Sequence, residues 1–424
     1  MSTTEHIPSL FPNMSYRKKL SWVDRFAKKT VLKLLSQLKY GRLVLIDETQ
    51  HQWSFGDALD TNEYIVQIHD ARFWRAIFKG GSVGAGEAYM EGYWDCIDLT
   101  GLLRLILKNR ALLDNMEKGW ARLSYPWRSI EHYLHRNSKV GSKKNIAAHY
   151  DLGNEFYSLW LDPSMFYSSA YFEKQNSTLE EASWYKCQLL AEQLELTSRD
   201  HVLEIGSGWG GFACYAAKHY GCRVTTITIS EEQYQYVLNR IRDWQVEHLV
   251  EVQLKDYRDV KGLYTKLVSI EMIEAVGAEF LPTYFEQCSS LLAPQGIMLL
   301  QAITINDRRY QQALREVDFI QKYIFPGGFI PSISEMLRVS VRYTDLQLSH
   351  LHAFSSHYAK TLNMWADRFL SCTDEVLKMG FNHQFIRRWQ FYLNYCEAGF
   401  TERDIDVVHM KFVKPQWRKS FNAA

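Results

Sequence analysis

The chain has 424 residues, a formal net charge of +1 and an aromatic content of 14% that includes 25 Tyr and 13 Trp. Its length predicts two domains with a large buried core, and its balanced charge gives no general attraction to nucleic acid. The seven scattered cysteines lack metal-ligand spacing, so we expect reduced thiols and no metal site. The first residues lack the apolar core of a signal peptide, and no apolar run is long enough to span a bilayer, which predicts a cytoplasmic chain.

A basic amphipathic segment comes first, from residue 17 to residue 42. It carries nine Lys or Arg residues against a single acid, Asp24. At a helical period, apolar side chains from Leu20 to Leu38 fall on one face and most lysines fall opposite. Two interpretations stay open. The helix lies on an anionic bilayer surface, or it packs its apolar face on its own domain and shows its lysines to water.

Short apolar runs and turn signals follow up to about residue 125, without a nucleophile–base pair or a ligand cluster. We interpret residues 1–125 as an accessory or docking domain. The polar and basic stretch 126–144 is the predicted linker, because turn formers accumulate toward its end. Residues 145–424 form the second predicted domain.

From residue 200 onward, short aliphatic or β-branched segments alternate with amphipathic helical segments. The predicted strands are 201–206, 223–229, 250–254, 266–272, 296–304 and 405–413. The predicted helices between them are 209–219, 231–245 and 280–292. This alternation is typical of a doubly wound α/β sheet, parallel over most of its strands. A helical stretch from about 306 to 400 is expected to form an insertion over the carboxyl ends of the strands.

Three glycines, Gly206, Gly208 and Gly210, separate the first of these strands from the next helix in "VLEIGSGWGG". Glycines at such a place let the backbone pass close to a ligand, and the helix start offers free N–H groups. Dinucleotide enzymes and S-adenosylmethionine (SAM) enzymes both use this pattern.

The second strand helps to separate these two cofactors. An NAD site calls for an acidic residue after that strand, where Glu231 and Glu232 stand. However, Ser230 and Gln233 form a predicted capping box that explains this segment without a ligand. Together with Glu204 in the first motif, this favours a SAM site.

The stretch "LVSIEMIEAVG", residues 267–277, runs from a buried strand into a turn and carries Glu271 and Glu274. Carboxylates at the end of an apolar strand are costly to desolvate unless a nearby group compensates. Their placement asks for a partner elsewhere in the chain.

Five motifs follow one another along the chain: "NIAAHYDLGNEFYSLWLDPSMFYSSAYF" (145–172), "VLEIGSGWGGFA" (202–213), "EMIEAVG" (271–277), "QKYIFPGGFIPS" (321–332) and "FYLNYCEAGF" (391–400). Together they resemble the cyclopropane-fatty-acyl-phospholipid synthase family, in wording closer to its plant-type branch. The likeness covers 145 to 415, and "GGSVGAGEAYMEGYWDC" (80–96) is similar to the family's N-terminal domain. The resemblance implies a SAM-dependent methyltransferase that adds a methylene across a cis double bond of a phospholipid's acyl chain.

In that family's reaction, the double bond attacks the methyl group of SAM, and a base removes a proton as the three-membered ring closes. The resemblance implies a bound bicarbonate as this base, held by Glu274, Tyr358 and neighbouring groups. A carboxylate that holds the ion positions it for proton abstraction. The alternative role for Glu274 is an acid in the first turn of a helix, while Glu271 stays open between packing support and an outer hydrogen bond.

Cys396 matches the family's active-site cysteine, where a thiol can line the site without acting as a nucleophile, and a buried core cysteine is the rival interpretation. Ser169 and Gln301 depart from the best-known bacterial pattern, which has cysteine and histidine at these positions. Backbone donation at 169 survives, and the glutamine amide still offers an N–H, although it cannot carry a proton as imidazole can. Whether the product is a cyclopropane or a methyl-branched or methylene chain therefore stays open.

The resemblance also implies the ligands of SAM. They are Tyr167, Ser168, Gly206, Gly208, Thr228 and Gln233, with Tyr257 near the adenine. Three aromatic residues are expected to line the acyl channel, where they stabilise positive charge and exclude water. They are Tyr323, Phe325 and Phe329. Without the resemblance, such a cluster beside Pro326 is more often a packed turn.

The expected partners are an unsaturated membrane phospholipid, a transient membrane surface at the inner face and, as the resemblance implies, a second copy of the chain in a homodimer. Nucleic acid is not expected. One rival function is a lipid-binding regulator without catalysis, against which the glycine motif and Glu274 count. A dinucleotide-dependent oxidoreductase is a more distant rival.

Overall fold

The computed structural model describes residues 20–60, 62–110, 114 and 152–418. The predicted linker, 126–144, lies outside the described residues, as do the first residues of the basic segment.

The chain divides into two compact units. An N-terminal unit comprises Met1–Arg128 with Val376–Glu402, and a catalytic unit comprises Ser129–Glu375 with Arg403–Ala424. The sequence-based boundary assigned 376–402 to the catalytic domain, whereas this division groups it with the N-terminal residues. The long helix His383–Thr401 explains the difference. Its buried Arg387 donates to the carbonyl of Trp94 at 2.8 Å, so the helix packs with the N-terminal residues.

The described residues contain eleven strands and fourteen α-helices. The strands are β1 (Arg42–Ile46), β2 (Gln52–Gly56), β3 (Glu63–Ile68), β4 (Trp94–Cys96), β5 (His201–Ile205), β6 (Arg223–Thr228), β7 (Val250–Leu254), β8 (Tyr264–Ile270), β9 (Leu292–Ile305), β10 (Gln347–Ala353) and β11 (Ile405–Val413). The helices are α1 (Trp22–Leu35), α2 (Arg72–Met90), α3 (Leu99–Lys108), α4 (Asn154–Trp160), α5 (Leu179–Gln193), α6 (Gly211–Tyr220), α7 (Glu231–Asp243), α8 (Leu281–Ser290), α9 (Asp307–Ala313), α10 (Phe319–Tyr323), α11 (Ile333–Tyr343), α12 (Ser355–Ser371), α13 (Thr373–Lys378) and α14 (His383–Thr401).

In the N-terminal unit, a four-stranded sheet has the order β2-β1-β3-β4. Helix α1 begins at a capping box, in which Ser21 and Asp24 each bind the other's backbone N–H. Its Ala27, Val31 and Leu35 are buried. The apolar face of the basic segment is thus packed within the protein, because burying that face offsets the entropy cost of ordering the helix.

The catalytic unit is built on a seven-stranded sheet in the order β10-β11-β9-β8-β5-β6-β7. Strands β5 to β9 are parallel, and β11 and β10 add antiparallel pairs at one side. The predicted doubly wound, mostly parallel sheet is confirmed. Because the strand order reverses between β5 and β8, the carboxyl ends of these two strands open the crevice in which such sheets bind ligands.

Both faces of this sheet are covered. Helices α5, α6 and α7 contribute to one apolar cluster and α8 and α11 to another, each with inward-facing side chains of the strands. This burial explains why the strands are nearly continuous aliphatic runs.

One strand was missed within the stretch 306–400, which the sequence predicted as helical. Strand β10 pairs with β11 in antiparallel register. Its sequence, QLSHLHA, contains no β-branched residue and is exposed over most of its length, so neither strand propensity nor burial marks it.

Candidate active site

The loop after β5 contains three glycines with positive φ values. Gly206, Gly208 and Gly210 have φ values of 92°, 48° and 79°, which glycine adopts without a steric penalty. The N–H groups of Gly206 and Ser207 donate to the carbonyl of Ile227 in β6, at 3.1 and 2.8 Å. A Cβ added at Gly208 would meet no heavy atom of the described residues within 4 Å. The loop therefore leaves space for a ligand next to the start of α6.

The end of β6 pairs two of the predicted SAM ligands. Thr228 Oγ1 donates to Gln233 Oε1 at 2.8 Å, and it accepts from the N–H of Ser230 at 3.1 Å. Ser230 caps α7 by accepting from the Gln233 N–H. The predicted capping box is only half formed, because the Gln233 side chain turns to Thr228 instead. Glu231 and Glu232 are exposed in the first turn of the helix.

Tyr257 follows β7 in a short 3₁₀ turn at the same edge of the sheet. Its ring packs edge-on against Tyr284, with 5.5 Å between centroids. Its carbonyl accepts from Gln287 at 3.2 Å, and burial raises the pKa of its hydroxyl. The ring is thus fixed where the sequence places it, near the carboxyl ends of the strands.

Tyr167 lies in an aromatic cluster on the loop between α4 and α5. Its ring centroid is 5.4 Å from that of Tyr157 and 5.5 Å from those of Trp160 and Trp365. Phe325, predicted for the acyl channel, lies 6.2 Å from Tyr167. The cluster therefore joins a predicted SAM ligand to the predicted acyl side.

The other two channel candidates have different surroundings. Tyr323, at the end of α10, packs on Phe319 at 5.2 Å. Phe329 is buried in the core cluster, and its N–H donates to the carbonyl of Glu274 at 2.9 Å. Cys396 lies in α14 and is half-buried there, so it belongs to the N-terminal unit and not to the unit that holds the other candidates.

Ser168 has a buried partner that sequence reasoning missed. Its Oγ accepts from Lys186 Nζ at 2.8 Å, and that ammonium lies 3.9 Å from the ring centroid of Phe166. Burial lowers the pKa of Lys186, while the charge of Glu271 acts in the opposite direction. The helical period of α5 was the available signal, since it places Lys186 on the buried face with Ala182.

The carboxylate of Glu271 collects three hydrogen bonds just after β8. Its Oε1 accepts from the N–H of Ser169 at 2.9 Å and from Gln301 Nε2 at 2.7 Å. Its Oε2 accepts from the hydroxyl of Tyr358 at 2.6 Å. Burial raises the pKa of Glu271 above its usual value, and these three donors oppose that shift. Three residues predicted for the bicarbonate site thus meet at Glu271, a position that the sequence left between two supporting roles.

Glu274 has a different environment, one 3₁₀ turn further along the chain. Its Oε1 accepts from the N–H of Ile303 at 2.6 Å, and its Oε2 is buried with no hydrogen-bond partner among the described residues. Burial, and then the charge of Glu271, raise the pKa of Glu274 to about 8. At neutral pH we therefore assign the proton to Glu274 and the negative charge to Glu271, which has the donors.

The orientation of Gln301 is set from β11. Its Oε1 lies 3.0 Å from His409 Nε2, and Gln193 Nε2 lies 3.1 Å from His409 Nδ1. This network assigns the imidazole proton to Nε2, which donates to Gln301 and leaves the amide N–H groups to face Glu271. Burial lowers the pKa of His409 to about 3, so the ring is neutral. The signal in the sequence was a histidine inside the apolar strand "IDVVHMKFV".

These contacts do not fit a bicarbonate at the expected place. The backbone N–H at 169, the amide of Gln301 and the hydroxyl of Tyr358 already bind a carboxylate of the chain itself. A second anion beside Glu271 would lack these donors and would be repelled at short range.

The chain is similar to several known proteins. A family model described as mycolic acid cyclopropane synthetase matches residues 137–410. A tuberculostearic acid methyltransferase of Mycobacterium tuberculosis is 35% identical over 347 residues, which cover 80% of this chain and 81% of the relative. A cyclopropane-fatty-acyl-phospholipid synthase of Escherichia coli is 34% identical over 354 residues, which cover 82% of this chain and 87% of the relative.

Two solved structures are similar to a large part of this chain. A cyclopropane synthase from Mycobacterium tuberculosis has a TM-score of 0.60 and 28% identity, and the match covers 64% of this chain and 98% of that one. A mycolic acid cyclopropane synthase complexed with SAH and CTAB has the same TM-score, identity and coverage. The SAH bound in that relative supports S-adenosylmethionine as the cofactor.

Proposed function

The chain belongs to the mycolic acid cyclopropane synthetase family and is a SAM-dependent methyltransferase; we propose that it adds a methylene across a cis double bond of an unsaturated phospholipid acyl chain. The observation that carries this proposal is the Glu271 carboxylate beside the glycine loop. Met272, the next residue, lies close enough to Gly206 that an added Cβ would meet its side chain at 3.1 Å.

SAM, when bound, supplies an electrophilic methyl group. We expect it to bind along the carboxyl edge of the sheet, at the space beside Gly208, the Thr228–Gln233 pair and the ring of Tyr257. The loop that carries Tyr167 continues directly into Ser169, whose N–H holds Glu271. One short segment thus orders both the cofactor side and the carboxylate, which is the positioning that proton removal from a transferred methyl group needs.

We propose that the aromatic cluster around Tyr167 also excludes water from the reacting acyl chain. A carbocation in the acyl chain is trapped as an alcohol if water reaches it. Phe325, Trp365 and Tyr167 present apolar faces beside the site, and aromatic faces also stabilise a cation through their quadrupoles.

A second candidate product is a methyl-branched or methylene chain. The relative named a tuberculostearic acid methyltransferase, at 35% identity, favours it. So does Gln301, whose amide cannot relay a proton as an imidazole can. Both products need the same methyl transfer and differ in how the cation is resolved.

We also propose that α1 docks the protein on an anionic bilayer. None of the helices in the described residues is long and apolar enough to cross a membrane. However, Trp22 is 75% exposed and Phe26 is 52% exposed on the face of α1 that also carries the exposed Lys29 and Lys33. Aromatic side chains beside lysines are typical of a helix that lies in the headgroup region. The expected homodimer stays a prediction, which sedimentation velocity tests.

The test of the proposed reaction uses the purified chain, SAM with a ¹³C-labelled methyl group and vesicles of a cis-monounsaturated phospholipid. We expect one labelled carbon per modified chain, with an upfield cyclopropane proton signal in the NMR spectrum. Vesicles of the matching saturated lipid are the control and should gain no label. Label without the ring signal supports the methyl-branched or methylene product. If the unsaturated lipid gains no label either, the proposed methylene transfer to phospholipid is wrong.

A further inference from the structure

We propose that the carboxylate of Glu271 is the base of this reaction and takes the place of an external anion. This inference rests on the proposed methylene transfer and deepens it, since it assigns the proton-accepting atom to the chain itself.

The first support is the set of donors. A carboxylate and a bicarbonate present similar planar oxygen pairs, so both suit one backbone N–H, one amide and one hydroxyl. Ser169, Gln301 and Tyr358 supply these to Glu271 at 2.6–2.9 Å. Such bonds are stronger when the acceptor is ionised. They hold the carboxylate in one position at the end of β8.

The second support is the backbone of Glu271, whose φ is 48°. A left-handed conformation is uncommon outside glycine, and such residues cluster at functional sites. Glycine would adopt this φ without strain, whereas glutamate keeps it because its side chain is anchored on three other segments. A packing role would not require a carboxylate here.

The third support is the contrast with Glu274. One of its oxygens is bound by the Ile303 N–H, and the other is inaccessible to solvent. Both residues are half-buried, but only Glu271 has three donors, which favour the ionised form that a base needs. Glu274 acts as a positioning residue, because its neutral form beside Glu271 avoids the repulsion of two adjacent carboxylates.

The chemistry balances without another reactant. The π electrons of the acyl double bond form a C–C bond to the methyl carbon, and the electron pair of the broken S–C bond stays on sulfur. The neighbouring acyl carbon becomes a cation. Glu271 removes one proton from the transferred methyl group, and the freed C–H pair closes the second ring bond. Glu271 ends as the neutral acid and returns the proton to solvent.

The experiment compares the wild type, Glu271→Gly and Glu271→Gln in buffer depleted of carbon dioxide, with and without added bicarbonate. The wild type should work equally well in both buffers. Glu271→Gln keeps the shape but cannot accept the proton, and we expect a loss of about 10²–10⁴-fold in rate that bicarbonate does not restore. Glu271→Gly opens the space with the same donors around it, and bicarbonate should restore at least part of its activity.

Calorimetric SAM binding and circular dichroism report folding independently of the reaction. Glycine suits the φ of position 271, so the variant should fold and bind SAM as the wild type does. A wild type that loses activity on depletion and regains it with bicarbonate contradicts the inference while leaving the proposed function intact. Full activity in Glu271→Gln also contradicts it. No labelled lipid from the wild type under either condition overturns the proposed function as well.

Discussion

Tyr358 donates its hydroxyl hydrogen bond to Glu271, at 2.6 Å, and not to Glu274. The two glutamates stand three residues apart, and both raise the same question of a carboxylate at the end of an apolar strand. The hydroxyl of Tyr358, in α12, is one of three donors that stabilise the ionised form of Glu271. Glu274 lacks such a set of donors and carries the proton.

Replacing Tyr358 by phenylalanine removes one donor from Glu271 and little else. We expect kcat to fall roughly 10–100-fold, which corresponds to the loss of about 1.5–3 kcal/mol from a hydrogen bond to a charged group. SAM affinity should stay within error. Tyr171→Phe is the matched control, since that hydroxyl meets His352 and not Glu271. Unchanged kcat in Tyr358→Phe would show that this bond does not serve the reaction.

Gly208→Ala tests the SAM loop. The new Cβ would point into open space and fill the space that the cofactor needs, while the strain from the positive φ of Gly208 is shared by the control below. We expect SAM affinity, measured by calorimetry, to fall at least about tenfold, or roughly 1.4 kcal/mol. Gly92→Ala is the control, because Gly92 also has a positive φ and an open surrounding but lies in the N-terminal unit. Equal SAM affinity in both variants contradicts the placement of the cofactor.

Lys186→Met tests the electrostatics of the base. The charge of Lys186 lowers the pKa of Glu271 against the larger effect of burial, which raises it. Removing that charge should raise the pKa of Glu271 further, so less of it is ionised at low pH. The acid limb of the kcat/KM profile should therefore move to higher pH. Lys266→Met, another buried lysine at the start of β8, is the control. An acid limb that stays in place or moves to lower pH contradicts this role.

Glu204 makes stability depend on pH. Its side chain lies inside β5 and accepts from Thr226 Oγ1 at 2.5 Å, and burial raises its pKa to about 8. The folded chain keeps this proton after the unfolded chain has released it, so the free energy of unfolding falls as pH rises from the ordinary glutamate pKa toward 8. Glu204→Gln should remove up to about 1.4 kcal/mol of this loss per pH unit, measured by urea unfolding at pH 6 and pH 8.

The exposed Glu251→Gln serves as the control for that experiment, because its side chain lies on the surface of β7. Its unfolding free energy should keep the pH slope of the wild type. If Glu204→Gln also keeps that slope, the buried carboxyl is ionised in the fold and the assignment is wrong.

The exposed face of α1 is tested with anionic vesicles. The double variant Lys29→Glu/Lys33→Glu should weaken the free energy of vesicle binding, measured by co-sedimentation, by about 1 kcal/mol per lysine. Trp22→Ala, tested separately, should weaken it as well. Lys28 is left unchanged, because its ammonium pairs with Asp47 at 2.8 Å and its loss would destabilise the unit. Lys261→Glu, an exposed charge of the catalytic unit, is the control. If the α1 variants bind the vesicles as the wild type does, α1 does not dock the protein on the bilayer.

Local patterns explain what the sequence predicted well. The strands of the parallel sheet and the glycine loop follow from aliphatic runs and turn residues that lie next to one another. The hydrogen bond between Glu271 and Tyr358 does not follow from local patterns, because 87 residues separate the two. Either glutamate also satisfies the local pattern. The same limit applies to α14, whose place in the N-terminal unit depends on tertiary packing.

Lys186 and His409 show an intermediate case. Each is a polar residue at a position whose period predicts burial, which signals a partner without naming it. The partners, Ser168 and Gln301, come from distant segments. Sequence periodicity can therefore flag such residues, but only the fold pairs them.

The most direct test of the central claim uses SAM with a fully deuterated methyl group, cis-monounsaturated phospholipid vesicles and mass spectrometry of the acyl chains. If a base removes a proton from the transferred methyl group, the product retains two of its three deuterons. Retention of all three would mean that the methyl group is never deprotonated, and absence of deuterium from the lipid would mean that no transfer occurs; either result contradicts methylene transfer by this chain.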